Sequence, residues 1–200
     1  MSGADEVRNA IRSRGKVTLS LVVVNVAVFI VLSLMGNTES AAFMAAHGAC
    51  YAPYIVENGE YWRLFTAMFL HFGVVHLLYN MLCLLTLGDL LEKVIGPVRY
   101  LVIYVAGGLA GNVLSVLVGM RTHNYAVSAG ASGAAFAVIG ALLLVVIRRH
   151  GRLGQIRLER MLLMVALMIA QGFVEPGTDN MAHIGGVIAG FVLAFVLGAG

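Results

Sequence analysis

Long apolar stretches separated by short polar segments occupy most of the chain. A helix needs about 20 predominantly apolar residues to cross the hydrocarbon core of a bilayer. Six stretches approach or reach that length, and they cover residues 17–35, 74–94, 98–119, 132–147, 161–174 and 182–197. The pattern therefore predicts an all-α, polytopic membrane protein with six transmembrane helices.

The composition supports a membrane protein and excludes several soluble classes. Apolar residues make up 60% of the 200 residues and charged residues only 12%, whereas soluble domains have about 45–50% and about 25%. So few charges cannot coat the surface of a soluble globule. The same figures exclude intrinsic disorder. The wide separation of the two cysteines, Cys50 and Cys83, excludes a disulfide framework.

The distribution of Lys and Arg predicts the orientation of the spans. With the amino terminus in the cytoplasm, the outer segments contain Arg63 and Arg121, and the inner segments contain the other eleven: Arg8, Arg12, Arg14, Lys16, Lys93, Arg99, Arg148, Arg149, Arg152, Arg157 and Arg160. Cytoplasmic loops are enriched in Lys and Arg, so both termini are predicted to be cytoplasmic. Residues 1–16 then form a cytoplasmic segment, residues 17–200 form a single membrane domain, and the plasma membrane is the expected location.

Two polar regions flank the second predicted span. The outer segment before it, residues 36–72, is long enough to have structure of its own. Its stretch YWRLFTAMFLH is aromatic and amphipathic, which suits a position in the membrane interface. At the inner end of the span, Asp89 and Glu92 are expected to pair with Lys93 or Arg99 or to stay hydrated.

Polar residues inside apolar spans are costly and indicate function. The second span contains His76 and Asn80, which are four residues apart and share a helix face. The fourth span begins at Ser132 and the sixth begins near His183. All three spans enter the membrane from the outer side in the predicted topology. At a rise of about 1.5 Å per residue, the four side chains lie within one or two turns of that side, so we expect them to converge.

This convergence suits nucleophilic catalysis. A serine is a weak nucleophile until a base removes its proton, and histidine is the usual base. His76, the Asn80 amide and the backbone N–H groups at the start of the fourth helix are candidate donors to an oxyanion. No carboxylate is expected at that depth, since Asp89 lies about 13 Å further along the helix from Asn80. The residues predict a Ser132–His183 dyad without an acidic third member.

Four motifs link the chain to a known family. They are the pair Trp62-Arg63, the pattern His71-x4-His76-x3-Asn80, GASG around Ser132, and DNMAHIGGVIAG, which contains His183, Gly186 and Gly190. With these motifs the chain resembles, from the first span to Gly190, the rhomboid intramembrane serine proteases. One departure is Phe136, where the family often has tyrosine. An aromatic ring at this position is still expected to pack on His183.

The resemblance implies a role for each of these residues. Ser132 would be the nucleophile, His183 the general base, and His76 and Asn80 the side chains that stabilise the oxyanion. Supporting positions are His71, Gly130, Gly133, Phe136, Gly186 and Gly190. The implied fold is a six-helix rhomboid-like bundle that cleaves transmembrane proteins near the outer leaflet, with the fifth span and its following loop as a gate. The small-xxx-small spacing of Gly186 and Gly190 favours close packing of the sixth and fourth helices.

Other functions fit the sequence less well. A noncatalytic rhomboid-like protein that binds membrane clients is the first alternative, but such relatives typically lack the serine or the histidine. A zinc site would draw on His71, His76 and His183, yet no Cys or carboxylate completes the set. A transporter would be expected to have paired intramembrane carboxylates or broken repeat helices.

We therefore expect a serine endopeptidase whose partners are the lipid bilayer and transmembrane protein substrates. No cofactor, metal ion or nucleic acid is expected. Nothing in the sequence indicates the oligomeric state.

Overall fold

The computed structural model describes residues 14–175 and 177–199. Residues 1–13, which belong to the predicted cytoplasmic segment and include Arg8 and Arg12, lie outside the described residues. The described chain is mostly helical. Its elements are α1 (Lys16–Met35), α2 (Ala41–Ala46), α3 (Ala52–Val56), α4 (Arg63–Thr66), a 3₁₀ turn (Ala67–Phe69), α5 (Gly73–Cys83), a π-helical turn (Leu84–Gly88), α6 (Asp89–Ile95), α7 (Pro97–Thr122), α8 (Ser132–Arg148), β1 (Arg152–Leu153), β2 (Ile156–Arg157), α9 (Leu158–Val174) and α10 (Asn180–Val196).

Helices lie at each of the stretches that were predicted to span the membrane. Within the described residues, α1, the continuous helical stretch Gly73–Ile95 and α7 are long and apolar enough to cross a bilayer. Helices α8 and α10 are apolar but shorter, with 17 residues each. The fold is that of an integral, multi-pass membrane protein, and the count of six spans stays a prediction.

Helix α8 lies at the centre of the bundle. All of residues 133–146 are buried, which agrees with a sequence that is apolar on every side. A Cβ added at Gly190 of α10 would lie 1.9 Å from Ala137 O, and one added at Gly186 would lie 2.2 Å from Gly133 O. The missing side chains let the two backbones touch. The predicted close packing of these helices is therefore confirmed.

The segment between α1 and α5 folds around a buried arginine. Arg63 is only 5% exposed. Its guanidinium donates to Ala45 O at 2.5 Å and to Glu60 Oε2 at 2.6 Å. The aromatic side chains around it are exposed: Tyr61, Trp62 and Phe65. The predicted two-faced character of this segment is confirmed, and its position in the membrane interface stays a prediction.

Two carboxylates anchor the start of α1 to α6. Glu92 is buried and accepts hydrogen bonds from Val17 N at 3.0 Å, Thr18 N at 2.8 Å and Thr18 Oγ1 at 2.8 Å. The expectation that Glu92 pairs with a basic side chain or stays hydrated was wrong, because the first N–H groups of α1 have no partner within their own helix and bind it instead. Asp89 accepts from Lys93 Nζ at 2.7 Å, so the pairing predicted for this residue is confirmed.

Helix α9 buries little of its apolar surface. Met161 and Val165 are buried, whereas Leu163, Leu167 and Phe173 are 60%, 60% and 68% exposed. Lipid tails are as apolar as leucine. The exposed face of α9, which points away from the bundle, therefore suits contact with lipid.

Candidate active site

Ser132 is the first residue of α8, where the chain enters the helix from a tight loop. Gly130 has φ +141°, in the region that favours glycine. A Cβ at this position would lie 2.7 Å from His76 Cε1 and 3.6 Å from Ser132 Oγ. Glycine at position 130 thus lets the His76 ring approach the backbone beside the serine. The first N–H groups of a helix have no intrahelical partner, so the start of α8 offers backbone donors next to the Ser132 hydroxyl.

His183 lies in the first turn of α10 and contacts Ser132. Its Nε2 is 3.0 Å from Ser132 Oγ, a distance at which a base can take the hydroxyl proton. The imidazole is stacked on Phe136 of α8, with ring centroids 4.2 Å apart and an angle of 15° between the planes. This is the packing expected of an aromatic residue at position 136. The backbone contact between Gly186 and Gly133 brings the two helices close enough for the hydrogen bond.

His76 and Asn80 face the same space from α5. His76 is half-buried and Asn80 is buried. The Asn80 Nδ2 donates to His76 O at 2.9 Å, one turn back along the helix. An asparagine amide has two N–H donors, so one donor is left for another acceptor. The structure therefore brings together the four residues that the sequence predicted to converge: Ser132, His183, His76 and Asn80.

His71 and the outer segment hold the loop that leads into α8. The Ala131 N–H donates to His71 Nε2 at 3.4 Å, and the Gly130 N–H donates to Ala67 O at 2.9 Å. His71 is fully buried, and burial lowers its pKa to about 3, so its ring is neutral and can accept this bond. The His71 side chain contacts the loop and does not line the cavity described below. Its contacts are those of a residue that supports the loop.

Cys50 contacts the same loop at Ser128, a few residues before Gly130. Its backbone exchanges two hydrogen bonds of 2.8 Å with the backbone of Ser128. Burial raises the pKa of the Cys50 thiol to about 12. Because the thiolate is the reactive form of cysteine, Cys50 does not compete with Ser132 as a nucleophile.

Asp179 is a candidate that sequence reasoning missed. Its Oδ1 accepts the Ala182 N–H at 2.9 Å and its Oδ2 accepts the Ser115 hydroxyl at 2.6 Å. Asp179 lines the same cavity as Ser132, so the expectation of no carboxylate at this depth was wrong. The His183 backbone N–H donates to Asp179 O at 3.2 Å, but the Asp179 carboxylate does not bind the imidazole, whose Nδ1 has no partner in the described part of the chain. An Asp three residues before an apolar run is an N-cap signature, and this signal could have found it.

A cavity of about 720 Å³ opens beside these groups. Helix α9 contributes Met168 and Gln171 to its wall. A volume in this range holds a small ligand or a short stretch of peptide. Across residues 14–175 and 177–199, no three His, Cys, Asp or Glu side chains come together as metal ligands would. The polar groups at the cavity wall include Ser132, His183, His76, Asn80 and Asp179.

Residues 58–200 match the family model described as Rhomboid domain. The chain belongs to the rhomboid family. It is 33% identical over 191 residues to the rhomboid protease GluP of Bacillus subtilis, covering 94% of this chain and 36% of that protein. It is 33% identical to the putative rhomboid protease YdcA of the same organism, covering 70% of this chain and 69% of that protein. RHOMBOID-like protein 5 of Arabidopsis thaliana is 40% identical over 145 residues, which cover 72% of this chain and 46% of that protein.

Membership of the rhomboid family supports intramembrane protease activity at the level of the family. Rhomboid proteases act on transmembrane protein substrates within the bilayer. The described part of this rhomboid chain has the apolar helices of a membrane protein and a serine–histidine pair beside a cavity.

Proposed function

We propose that the protein is an intramembrane serine endopeptidase that uses a dyad of Ser132 and His183. The hydrogen bond of 3.0 Å between Ser132 Oγ and His183 Nε2, at the wall of the cavity, carries this proposal. The family's protease activity supports it.

The reaction begins when Ser132 Oγ attacks the carbonyl carbon of the scissile peptide bond. The hydroxyl proton moves to His183 Nε2 as the C–O bond forms. The tetrahedral intermediate collapses, the peptide C–N bond breaks, and His183 gives its proton to the leaving amine. A water molecule then attacks the acyl-enzyme with His183 again as the base, which releases the new carboxylate and restores Ser132.

Negative charge on the tetrahedral oxygen needs donors that are already in place. His76, the free N–H of the Asn80 amide and the backbone N–H at the start of α8 supply them. Such preorganised donors act strongly where water is excluded. The positions of His71, Gly130, Gly133, Phe136, Gly186 and Gly190 support this arrangement by holding the loop, the imidazole and the packed helices.

The surroundings of the cavity support a transmembrane segment as the substrate. A bundle of six spans with both termini in the cytoplasm would hold Ser132 near the outer leaflet, where a transmembrane segment of a substrate protein is cleaved. Helix α9 and its following loop form the gate in this proposal, because α9 contributes Met168 to the cavity wall and buries little apolar surface elsewhere. Residues 17–200 act as a single catalytic domain.

The decisive experiment is labelling of the purified protein in detergent with a fluorophosphonate probe. The wild-type protein should be labelled, and Ser132→Ala should not be. Ser132→Ala removes one hydroxyl at a helix start, so its thermal unfolding should match that of the wild type. A folded wild-type protein that resists the probe and cleaves no transmembrane substrate would favour the noncatalytic, client-binding alternative.

Topology is tested separately by reporter fusions. Reporters placed after Gly36, Met120 and Gly177 should lie outside the cytoplasm. Reporters placed after Gly96 and Gly151 should lie inside it. A cytoplasmic reporter after Met120 would put the serine at the opposite leaflet and contradict outer-leaflet cleavage.

A further inference from the structure

The connection between α8 and α9 is a short, two-faced β-hairpin. In it, Arg152 lies directly opposite Arg157, and Leu153 lies opposite Ile156. Gly154 is the first residue of the two-residue turn and has φ +57°. Two-residue hairpin turns require a positive φ at this position. The backbone closes this connection, since Leu158 N donates to Gly151 O at 3.0 Å. The hairpin is thus an ordered element with a defined register.

The two faces of the hairpin have opposite character. Leu153 and Ile156 are half-buried and pack against the hydrophobic core of the bundle. Arg152 and Arg157 are both exposed on the other face. Side chains alternate between the faces of a strand, so the packed apolar pair fixes the two guanidinium groups side by side on the outer face.

Like charges directly opposite each other destabilise a strand pair. The nearest carboxylate, Glu159, lies 3.4 Å from Arg157 Nε and is itself 74% exposed. Residues 148–160 contain five arginines and one acidic residue. One exposed carboxylate beside Arg157 does not neutralise both members of the opposed pair, and an external anion between the two side chains would complete the neutralisation.

The position of the hairpin identifies the anion. The hairpin follows the last turn of α8, whose residues 133–146 are buried in the bundle, and runs directly into α9. In the predicted topology the hairpin is on the cytoplasmic side, where α8 and α9 would leave the bilayer at the level of the lipid phosphates. Arginine binds phosphate through two parallel N–H groups, and arginines near a membrane surface are attracted to anionic lipids.

We propose that Arg152 and Arg157 form a binding site for the headgroup of an anionic phospholipid. The lipid bridges the two guanidinium groups through its phosphate and ties the beginning of α9 to the membrane surface. This site is separate from the cavity at Ser132, and its occupancy does not depend on the proteolysis proposed above.

The test compares lipid retention by the full chain in neutral detergent. The protein is mixed with equal amounts of phosphatidylglycerol and phosphatidylcholine, and retained lipids are counted by native mass spectrometry. The wild type should retain phosphatidylglycerol in preference. Arg152→Gln/Arg157→Gln should weaken that preference by about fivefold or more, because the phosphate loses its charge-assisted hydrogen bonds to both guanidinium groups.

A control variant distinguishes a specific lipid-binding site from general attraction between arginines and anionic lipid. Arg149→Gln/Arg160→Gln removes the same charge from the same connection but leaves the opposed pair. Because neutral detergent has no negative surface potential to attract arginines in general, this variant should retain the preference within about twofold. An equal loss in both double variants would overturn the proposal. If soluble glycerol phosphate displaced the lipid equally well, the site would bind phosphate ions rather than lipid.

Thermal unfolding gives an independent measurement. Phosphatidylglycerol should raise the unfolding temperature of the wild type and leave that of Arg152→Gln/Arg157→Gln unchanged. Without anionic lipid, the double variant should unfold at or above the wild-type temperature, because the repulsion is removed. A lower unfolding temperature without lipid would contradict the repulsion on which the proposal rests. The single variant Arg152→Gln provides the same comparison if the double variant does not fold.

Discussion

Ser115 of α7 donates its hydroxyl hydrogen bond to Asp179 Oδ2 at 2.6 Å, while Asp179 Oδ1 accepts the Ala182 N–H at 2.9 Å. One carboxylate thus caps the first turn of α10 and ties that turn to α7. His183 is the next residue after Ala182, so the same contacts restrict the position of the imidazole. We interpret Asp179 as a residue that positions His183 without touching the reacting atoms.

This relationship predicts that Asp179→Ala lowers kcat. A misplacement of about 1 Å can cost about a hundredfold in rate, and loss of an N-cap costs about 1 kcal/mol of stability. We expect kcat to fall about tenfold to a hundredfold while KM changes little. Asp179→Asn should recover most of the activity, because asparagine caps helices as well as aspartate does. Steady-state cleavage of a transmembrane substrate in liposomes measures both variants, and wild-type kcat in Asp179→Ala would contradict the role.

The hydrogen-bonded pair of Ser132 and His183 predicts non-additive mutations. Each alanine variant should abolish cleavage, and the double variant should lose no more than either one, since residues that act as a unit behave this way. The measurement is single-turnover cleavage at saturating enzyme. Phe136→Leu serves as the comparison, because it removes the ring stacked on His183 but leaves the dyad, and it should retain partial activity. Appreciable cleavage by Ser132→Ala would identify another nucleophile.

Asn80 offers a separate test of oxyanion stabilisation. Removal of one such donor in soluble proteases costs about 10²–10³ in kcat, and His76 and the backbone would still donate here. We therefore predict that Asn80→Ala lowers kcat by roughly tenfold to a thousandfold, with KM little changed and fluorophosphonate labelling still detectable. His76→Ala should behave similarly. Wild-type kcat in a well-folded Asn80→Ala protein would show that Asn80 only packs the helix.

The convergence at the cavity was predictable because polar residues are rare in apolar spans. His76 and Asn80 interrupt one apolar stretch, and Ser132 and His183 each lie near the beginning of another. Counting residues from the outer ends puts all four at one depth. The packing of α10 on α8 was predictable from the spacing of its glycines. These signals are local in the sequence, so no knowledge of the fold was needed to find them.

Two of the contacts that sequence reasoning missed join distant segments. The N-cap position of Asp179 can be read from the sequence, but its hydrogen bond with Ser115 on α7 cannot. Glu92 resembles a hydrated charge at a helix end, yet it binds the first N–H groups of α1, more than 70 residues away. The opposed arginines of the hairpin were counted only as topological charge, because two-residue strands leave almost no periodic signal. Partners across the bundle are set by packing, which a single sequence does not reveal.

The contact between α10 and α8 predicts that Gly190→Ala destabilises the protein. The added Cβ would lie 1.9 Å from Ala137 O, which is a backbone atom and cannot rotate away. Overpacking of this kind costs about 1–3 kcal/mol, so the unfolding temperature in detergent should fall and activity should fall with it. Ile188 of the same helix is 58% exposed, so Ile188→Ala is the matched control and should unfold as the wild type does. Unchanged stability of Gly190→Ala would contradict the contact.

The hydrogen bonds of Glu92, at the opposite end of the bundle from Ser132, predict that Glu92→Ala lowers the free energy of unfolding. Its carboxylate is 6% exposed and accepts from Val17 N and Thr18 N at 3.0 and 2.8 Å. Glu92→Ala would leave these donors buried without a partner, at about 1–3 kcal/mol each. The free energy of unfolding should therefore fall by about 2 kcal/mol or more. Lys93→Gln removes only a half-exposed cation, and the buried Asp89 keeps its hydrogen bond from Gly15 N at 2.7 Å. This change should cost about 0–1 kcal/mol. Denaturation of both variants in the same detergent measures the difference, and equal losses would show that the carboxylate is not an anchor of α1 but one more surface charge.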